Sequence, residues 1–257
     1  DNHPRLNPYN RKGLISPYCQ ARTIKDYGEE RFNWNLFVRR NGVKNRQIEN
    51  LQQILGPKHT AEEFRAKACA YHQDVRLFGE AFASVSGVTV RRSFCFSDTE
   101  SVVPLNVMEE SMSCVGITSE EEAKRQVKET GEFNQTIGHR YVVPHALYRG
   151  AVVFDAIQAE KNGVTGTDIE QVEEAMLRGW EDCTSVQKNQ MRCAMLIKLD
   201  LGSKYGSPFL DVFDAQELLE IAPAVEEPDS IRDYRFKFEE VPLGVTVTWL
   251  KGQQYVK

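Results

Sequence analysis

The sequence predicts an α+β domain, and three observations carry that prediction. Segments with helical spacing and segments with strand-like alternation follow one another along the chain, with long insertions between them. Helix-start signals recur, as Ser16-Pro17, as Thr60 with Glu63, and as Thr118 with Glu121. Two runs, 87–96 and 139–155, are rich in the Val, Tyr and Phe that suit a pleated, half-buried surface.

Residues 1–13 are turn chemistry, with Asn-Pro, Gly and several basic residues. Ser16 is placed to cap a first helix and Pro17 to open it, with Cys19, Ile24 and Tyr27 as its apolar stripe. Gln20, Arg22 and Lys25 fall on its other faces. Residues 28–57 mix Trp34 and Phe37 with Arg31, Arg39, Arg40, Lys44 and Arg46. The helix opened by Thr60 is expected to reach about Gln73, with Phe64, Ala68 and Tyr71 inward. The run 74–83 reads as a strand or strand end. In 87–96, Val88, Val90, Arg92, Phe94 and Phe96 alternate and would share one strand face.

A charged helix follows Thr118, inside a polar stretch that reads as a protruding arm or loop; the plain alternative is a solvated surface helix. Residues 167–180 form an amphipathic helix, with Ile169, Val172, Ala175, Met176 and Trp180 near helical spacing. Residues 191–201 read as a buried strand and 214–221 as a short helix. FKFEE and VTVTWL flank Val-Pro-Leu-Gly and read as a terminal hairpin. This order fits a ferredoxin-like or RRM-like arrangement.

Composition narrows the class. The 257 residues can bury a full core and suit one elaborated domain or two small ones. Hydrophobic residues make up 41% and charged residues 27%, which favours a folded, soluble chain. No apolar run approaches the roughly 20 residues that span a bilayer, so no membrane partner is expected. The chain starts at Asp1 with no signal-peptide pattern and no Met, and an N-terminal piece is expected to be missing. The six Cys, at 19, 69, 95, 114, 183 and 193, include no CxxC pair and no zinc-like spacing. They read as reduced thiols of a cytoplasmic protein.

The net charge of −5 is unevenly spread. Residues 1–50 hold ten Lys or Arg against five Asp or Glu, while 205–245 hold three against ten. Such a chain can bind a polyanion at one face or meet a second copy head to tail; random scatter is the plain alternative. Within this frame, GHRYVVPHALYRG (138–150) sets two His, two Arg and two Tyr on an apolar element. Cations that meet phosphates and ring faces that meet bases would suit a nucleic-acid strand. A half-buried strand with a charged edge explains the same pattern.

Several blocks, in order, resemble one family. NHPRLNPYNRKGLISPYCQARTIKDY resembles the N-terminal motif of the CRISPR Cascade backbone subunits, Asn-x-Pro-Arg-x-Asp-Pro followed by Gly-Leu-Val and a basic helix. DVRLFGEAFA is similar to their Asp-Val-Arg-x-Phe-Gly-Ala element, and SGVTVRRSFCFSD to the strand after it. ITSEEEAKRQ and TIGHRYVVPHALYRG resemble their Thr-x-Glu-x-Glu-Ala helix and the strand ending Gly-Leu-Tyr-Arg. The blocks cover roughly residues 1–156, and the type I-C subunit is the nearest in pattern, with type I-B beside it. The chain departs at Gly87-Val88-Thr89-Val90, where the family carries Gly-Pro-Val-Gln, and at Gln20-Ala21-Arg22, where it carries three cations.

The resemblance implies an RRM-like palm over 1–257, with a fingers-like insertion at 28–73 and a thumb-like insertion at 108–138. It implies copies stacked head to tail along a CRISPR RNA, a target DNA strand paired to that guide, and further Cascade subunits as partners. It also implies that a palm strand precedes the first motif. The residues expected at RNA are Arg5, Ser16, Gln20, Arg22 and Lys25 around the first helix, and Lys124, Arg125, His139 and Arg140 around the thumb. Arg92 is expected either at RNA or at the edge of a core face.

No Ser/His/Asp order, P-loop or dinucleotide turn is present, and no cofactor, metal or catalytic residue is expected. The rival reading is a metal-dependent RNA cut by Asp1, Asp26 or Asp74. An ion pair between Asp74 and Arg76 is the structural alternative for that segment. His139 and His145 on one strand would stand about 20 Å apart, too far to share a metal.

Overall fold

The computed structural model of the chain describes residues 3–85, 87–114, 136–182, 190–212 and 214–256, together with 121, 124, 125, 127 and 128. Helices and strands are mixed throughout, as an α+β chain requires. The first half runs β1 (Lys12–Ile15), α1 (Pro17–Phe32), α2 (Lys44–Leu55), α3 (Ala61–Tyr71), α4 (Gln73–Phe78), β2 (Glu80–Ala81), β3 (Thr89–Val90), β4 (Phe94–Phe96) and β5 (Thr99–Pro104). Then come β6 (Met108–Cys114), β7 (Thr136–Val142), β8 (Tyr148–Arg149), β9 (Val152–Phe154), α5 (Ala156–Asn162) and α6 (Gly166–Arg178). The last part holds β10 (Leu196–Asp200), a 3-10 turn at Asp214–Leu218, β11 (Leu219–Pro223), β12 (Tyr234–Phe238) and β13 (Thr246–Lys251).

The helix starts follow local chemistry. Ser16 accepts from the backbone N–H of Cys19, with Pro at the opening of α1, so a donor that the helix leaves orphaned is satisfied. Thr60 and Glu63 close a full capping box on α3, and Thr165 with Asp168 does the same on α6. The box expected at Thr118 lies outside the described residues. At the far end of α1, Asn33 turns left-handed (φ 55°), and Trp34 folds back so that its N–H reaches the Gly28 carbonyl at 3.0 Å. Any side chain at 28 would strike the indole of Trp34, 2.2 Å from a Cβ there. Gly28 is what lets the ring lie flat on its own helix.

Three apolar clusters form the core. The first joins α1, α6 and β4 through Ile24, Tyr27, Trp34, Leu36, Phe94, Val172 and Ala175. Trp34 Nε1 donates to Gln171 at 2.7 Å and Tyr27 Oη to Glu174 at 3.0 Å, so both polar tips are satisfied. The second packs α2 and α3 through Ile48, Leu51, Phe64 and Ala68 against Phe37, Val75, Phe82, Val88 and Val90. Phe82 meets Phe37 and Phe64 edge-on, with centroids 5.0 and 5.2 Å apart. The third, near the C-terminal strands, centres on Leu210, Leu218 and Val245. Each fully buried Leu or Phe contributes about 1.5–3 kcal/mol.

The strand ladders are antiparallel, and an isolated parallel bridge joins Phe236 of β12 to Val256. β5 lies between β1 and β8 in a three-stranded sheet, and the other strands pair in twos. β6 and β7 form the longest ladder, from Met108 opposite Val142 to Cys114 opposite Thr136.

Several expectations are corrected. The strand read over 74–83 is the helix α4 and the two-residue β2, because Asp74, in its first turn, accepts the backbone N–H groups of Phe37 and Val38 at 2.8 and 3.1 Å. The single strand over 87–96 is two, β3 on β2 and β4 on β9. Tyr71 is exposed rather than inward. The strand over 191–201 is shorter and only half-buried. The short helix at 214–221 becomes a 3-10 turn running into β11. The terminal hairpin does not form, since β12 pairs with β11 and β13 with β10.

Candidate nucleic-acid interface

The break between β3 and β4 builds the site. Asn162, buried on α5, donates to the carbonyls of Arg91 at 2.8 Å and Arg76 at 3.1 Å and to the Ser93 hydroxyl at 3.1 Å. Ser93, fully buried, sends its backbone N–H to Leu77 at 3.0 Å and accepts from Asp155 at 2.8 Å. The backbone on both sides of Arg92 is thus pinned from within. The side chains of Arg91 and Arg92 are both exposed.

Tyr18, in the first turn of α1, stands opposite the buried Ile24 and Tyr27 stripe and is 75% exposed. The Arg92 guanidinium lies 5.7 Å from the centre of its ring, within cation–π reach. The first turn of α1 carries no acidic residue, so the partial positive charge of the helix start is not neutralised by its own helix. Ahead of β1, a turn exposes Arg5, Tyr9 (96% exposed) and Arg11. It is closed by Arg11 N–H to the Asn7 carbonyl at 2.9 Å and Asn7 N–H to the Lys12 carbonyl at 2.8 Å. The amides of Asn7 and Asn10, then Lys12, hold the Glu100 carboxyl below the usual carboxylate range. Chemically, these are cations and ring faces on two short loops and the first turn of α1.

The residues singled out from the sequence divide into two groups. Arg5 and Arg92 are exposed, as are Lys124 and Arg125 on the described helical residues. His139 and Arg140 stand on β7 beside acids of β6: His139 Nδ1 is 2.9 Å from Glu109 and Arg140 Nε 2.7 Å from Glu110. The remaining side chains serve the fold. Ser16 caps α1. Gln20 donates to the carbonyls of Ser97 at 2.8 Å and Ile15 at 3.4 Å, tying α1 to its flanking strands. Arg22 pairs with Asp26 and reaches the Val38 carbonyl at 2.9 Å. Lys25 turns inward to Asp74, 3.4 Å away. Gln20, Arg22 and Lys25 thus lie off the apolar stripe and find partners in elements that the helix periodicity does not show. Sequence reasoning misses Tyr18, Tyr9, Arg11 and Arg91, although an Arg-Arg doublet between two apolar runs marks a break in a strand.

The carboxylates considered for metal chemistry are also engaged. Asp26 takes Arg22 and, at 2.6 Å, Arg40. Asp74 takes Lys25 and two backbone N–H groups. Its expected partner Arg76 lies two residues on along α4 and pairs instead with Asp168 at 2.6 Å. Asp1 lies outside the described residues. Among the described residues no group of three or more His, Cys, Asp or Glu could hold a metal ion, and no helix is long and apolar enough to cross a membrane.

The model of the CRISPR-associated protein Cas7 family matches residues 1–239. The chain belongs to that family. It is similar in structure to a chain of a "CRISPR RNA-guided surveillance complex, pre-nicking", at 14% identity and a TM-score of 0.48, over 77% of this chain and 72% of that one. It is also similar to a chain of a "CRISPR RNA-guided surveillance complex", at 15% identity and a TM-score of 0.42, over 77% of this chain and 61% of that one. No curated protein matches the chain.

Proposed function

We propose that this chain is a non-catalytic backbone subunit of a type I CRISPR effector complex, most like type I-C, that binds CRISPR RNA along its sugar–phosphate chain. Membership of the Cas7 family supports the general role. The observation that carries the binding mode is the pair formed by Arg92 and the open ring of Tyr18, beside an exposed Arg91. Such a face meets phosphates with charge and a base or ribose with a ring, without reading sequence. In this reading an RRM-like palm carries the site and the β6–β7 ribbon belongs to the thumb-like insertion. Copies stack head to tail on the guide, and a target DNA strand pairs with that guide beside the other subunits of the complex. The place of action is the cytoplasm.

The purified assembly, incubated with labelled guide RNA and Mg²⁺, tests the non-catalytic part. Intact RNA is expected. Cleavage at regular intervals would replace this reading by that of a metal-dependent nuclease of the same family.

A further inference from the structure

An asparagine followed by glycine is prone to lose its side-chain amide, because glycine leaves its backbone nitrogen unshielded and the chain around it free to turn. The sequence holds two such pairs, Asn41-Gly42 and Asn162-Gly163. The fold treats them in opposite ways. Asn162 is 3% exposed. Its Nδ2 donates to the carbonyls of Arg91 and Arg76 and to the Ser93 hydroxyl, and its Oδ1 accepts from Gln158 Nε2 at 3.0 Å. Gly163, the left-handed cap of α5 at φ 72°, commits its N–H to the Glu160 carbonyl at 3.3 Å. A reaction there would break all of these buried bonds first.

Asn41 has none of these restraints. Residues 39–46, the turn before α2 and its first residues, are all exposed. Among the described residues the Asn41 side chain makes no hydrogen bond. The Gly42 N–H meets the Arg39 carbonyl at 3.2 Å, a single bond at the surface that opens at little cost. A Cβ at position 42 would stand 3.1 Å from that of Arg39, so the turn is suited to glycine. Arg39 and Arg40 come directly before Asn41, and their charge favours the anionic form of the neighbouring backbone nitrogen.

We propose that Asn41 is a modification site, at which the side chain deamidates spontaneously in the folded protein. The Gly42 backbone nitrogen gives its proton to solvent and attacks Cγ of Asn41. The new N–Cγ bond forms, the Cγ–Nδ2 bond breaks, and Nδ2 takes a proton from solvent and leaves as ammonia. The resulting succinimide then adds one water, which opens the ring at either carbonyl and gives aspartate or isoaspartate. Water is the only co-reactant. At neutral pH the new carboxyl is ionised, so the chain becomes one unit more negative than its −5. The charge appears in a stretch that carries Arg39, Arg40, Lys44 and Arg46, and the isoaspartyl form lengthens the main chain ahead of α2 by one carbon.

The test ages the purified full chain in warm, mildly alkaline buffer and follows its proteolytic peptides by mass spectrometry, with isoaspartate measured by enzymatic carboxyl methylation. While the chain is folded, the amide-to-acid mass shift is expected at Asn41 and not at Asn162. Once denaturant unfolds the chain, it is expected at both. The aged protein should also gain a later-eluting form on anion exchange. Asn41→Gln is expected to lose that form, and Gly42→Ala to slow its appearance. An Asn41 that stays intact in the folded protein while the unfolded chain converts overturns the proposal. So does equal conversion of Asn41 and Asn162 in the folded chain, or an acidic form that persists undiminished in Asn41→Gln.

Discussion

Lys25 Nζ lies 3.4 Å from Oδ2 of Asp74, with side-chain exposures of only 14% and 1%. The pair fastens α1 to α4. Because Asp74 also accepts from Phe37 and Val38, it holds the connection after α1 as well. Removing one partner of a buried pair leaves the other charge uncompensated, at a cost of about 3–5 kcal/mol. Lys25→Ala is therefore expected to lower stability by about 3 kcal/mol in urea unfolding. A midpoint equal to wild type would show that Lys25 is not a structural cation.

The opposite result is expected for Arg91 and Arg92. Both side chains are exposed and the backbone beside them is held by Asn162 and Ser93. Arg91→Gln with Arg92→Gln should stay within about 0.5 kcal/mol of wild-type stability. RNA affinity should fall, and the salt slope should drop by about 0.7 for each phosphate that the variant no longer neutralises. Anisotropy at several salt concentrations, beside a thermal melt, separates the two effects.

His72 sits at the joint between α3 and α4. Burial pushes its imidazole below the ordinary value, against the opposing pulls of the Asn35 carbonyl and Asp74; Arg39 adds to the lowering. The unfolded chain then takes up a proton before the folded chain does. Stability from this group is complete above about pH 6.5 and is lost as pH falls below it. Urea midpoints should drop as pH falls below about 6.5 in the wild type. The drop should be smaller in His72→Gln.

Asp168 has the acid-side counterpart. Burial pushes its carboxyl up, but Arg76 and both the backbone N–H and hydroxyl of Thr165 together hold it below the usual range. The folded state therefore keeps Asp168 ionised to lower pH than the unfolded state does. Its contribution is full above about pH 4 and is lost as pH falls further. Asp168→Asn should lower stability at neutral pH and flatten the decline below about pH 4, as read by chemical denaturation across that range.

What the sequence makes legible is local. Ser16 with Pro17 and Thr60 with Glu63 announce helix starts within four residues, and both are found. Residues 74–78 read as a strand because Val, Leu and Phe there look strand-like, while the groups that Asp74 serves lie 36 and 37 positions away. The C-terminal hairpin fails for a related reason. FKFEE and VTVTWL are neighbours in sequence, yet each finds its partner strand elsewhere. At the interface, charge type is readable but charge availability is not. Lys25 and Arg92 look alike in sequence; only the position of Asp74 separates a buried tie from an open cation.

The central claim is most directly tested by co-expressing the tagged chain with a CRISPR array and the other subunits, then extracting and sizing the nucleic acid that purifies with it. RNA of one uniform length, carried by particles that contain several copies of the chain, is the predicted result. Single, nucleic-acid-free protomers from the same cells would contradict it.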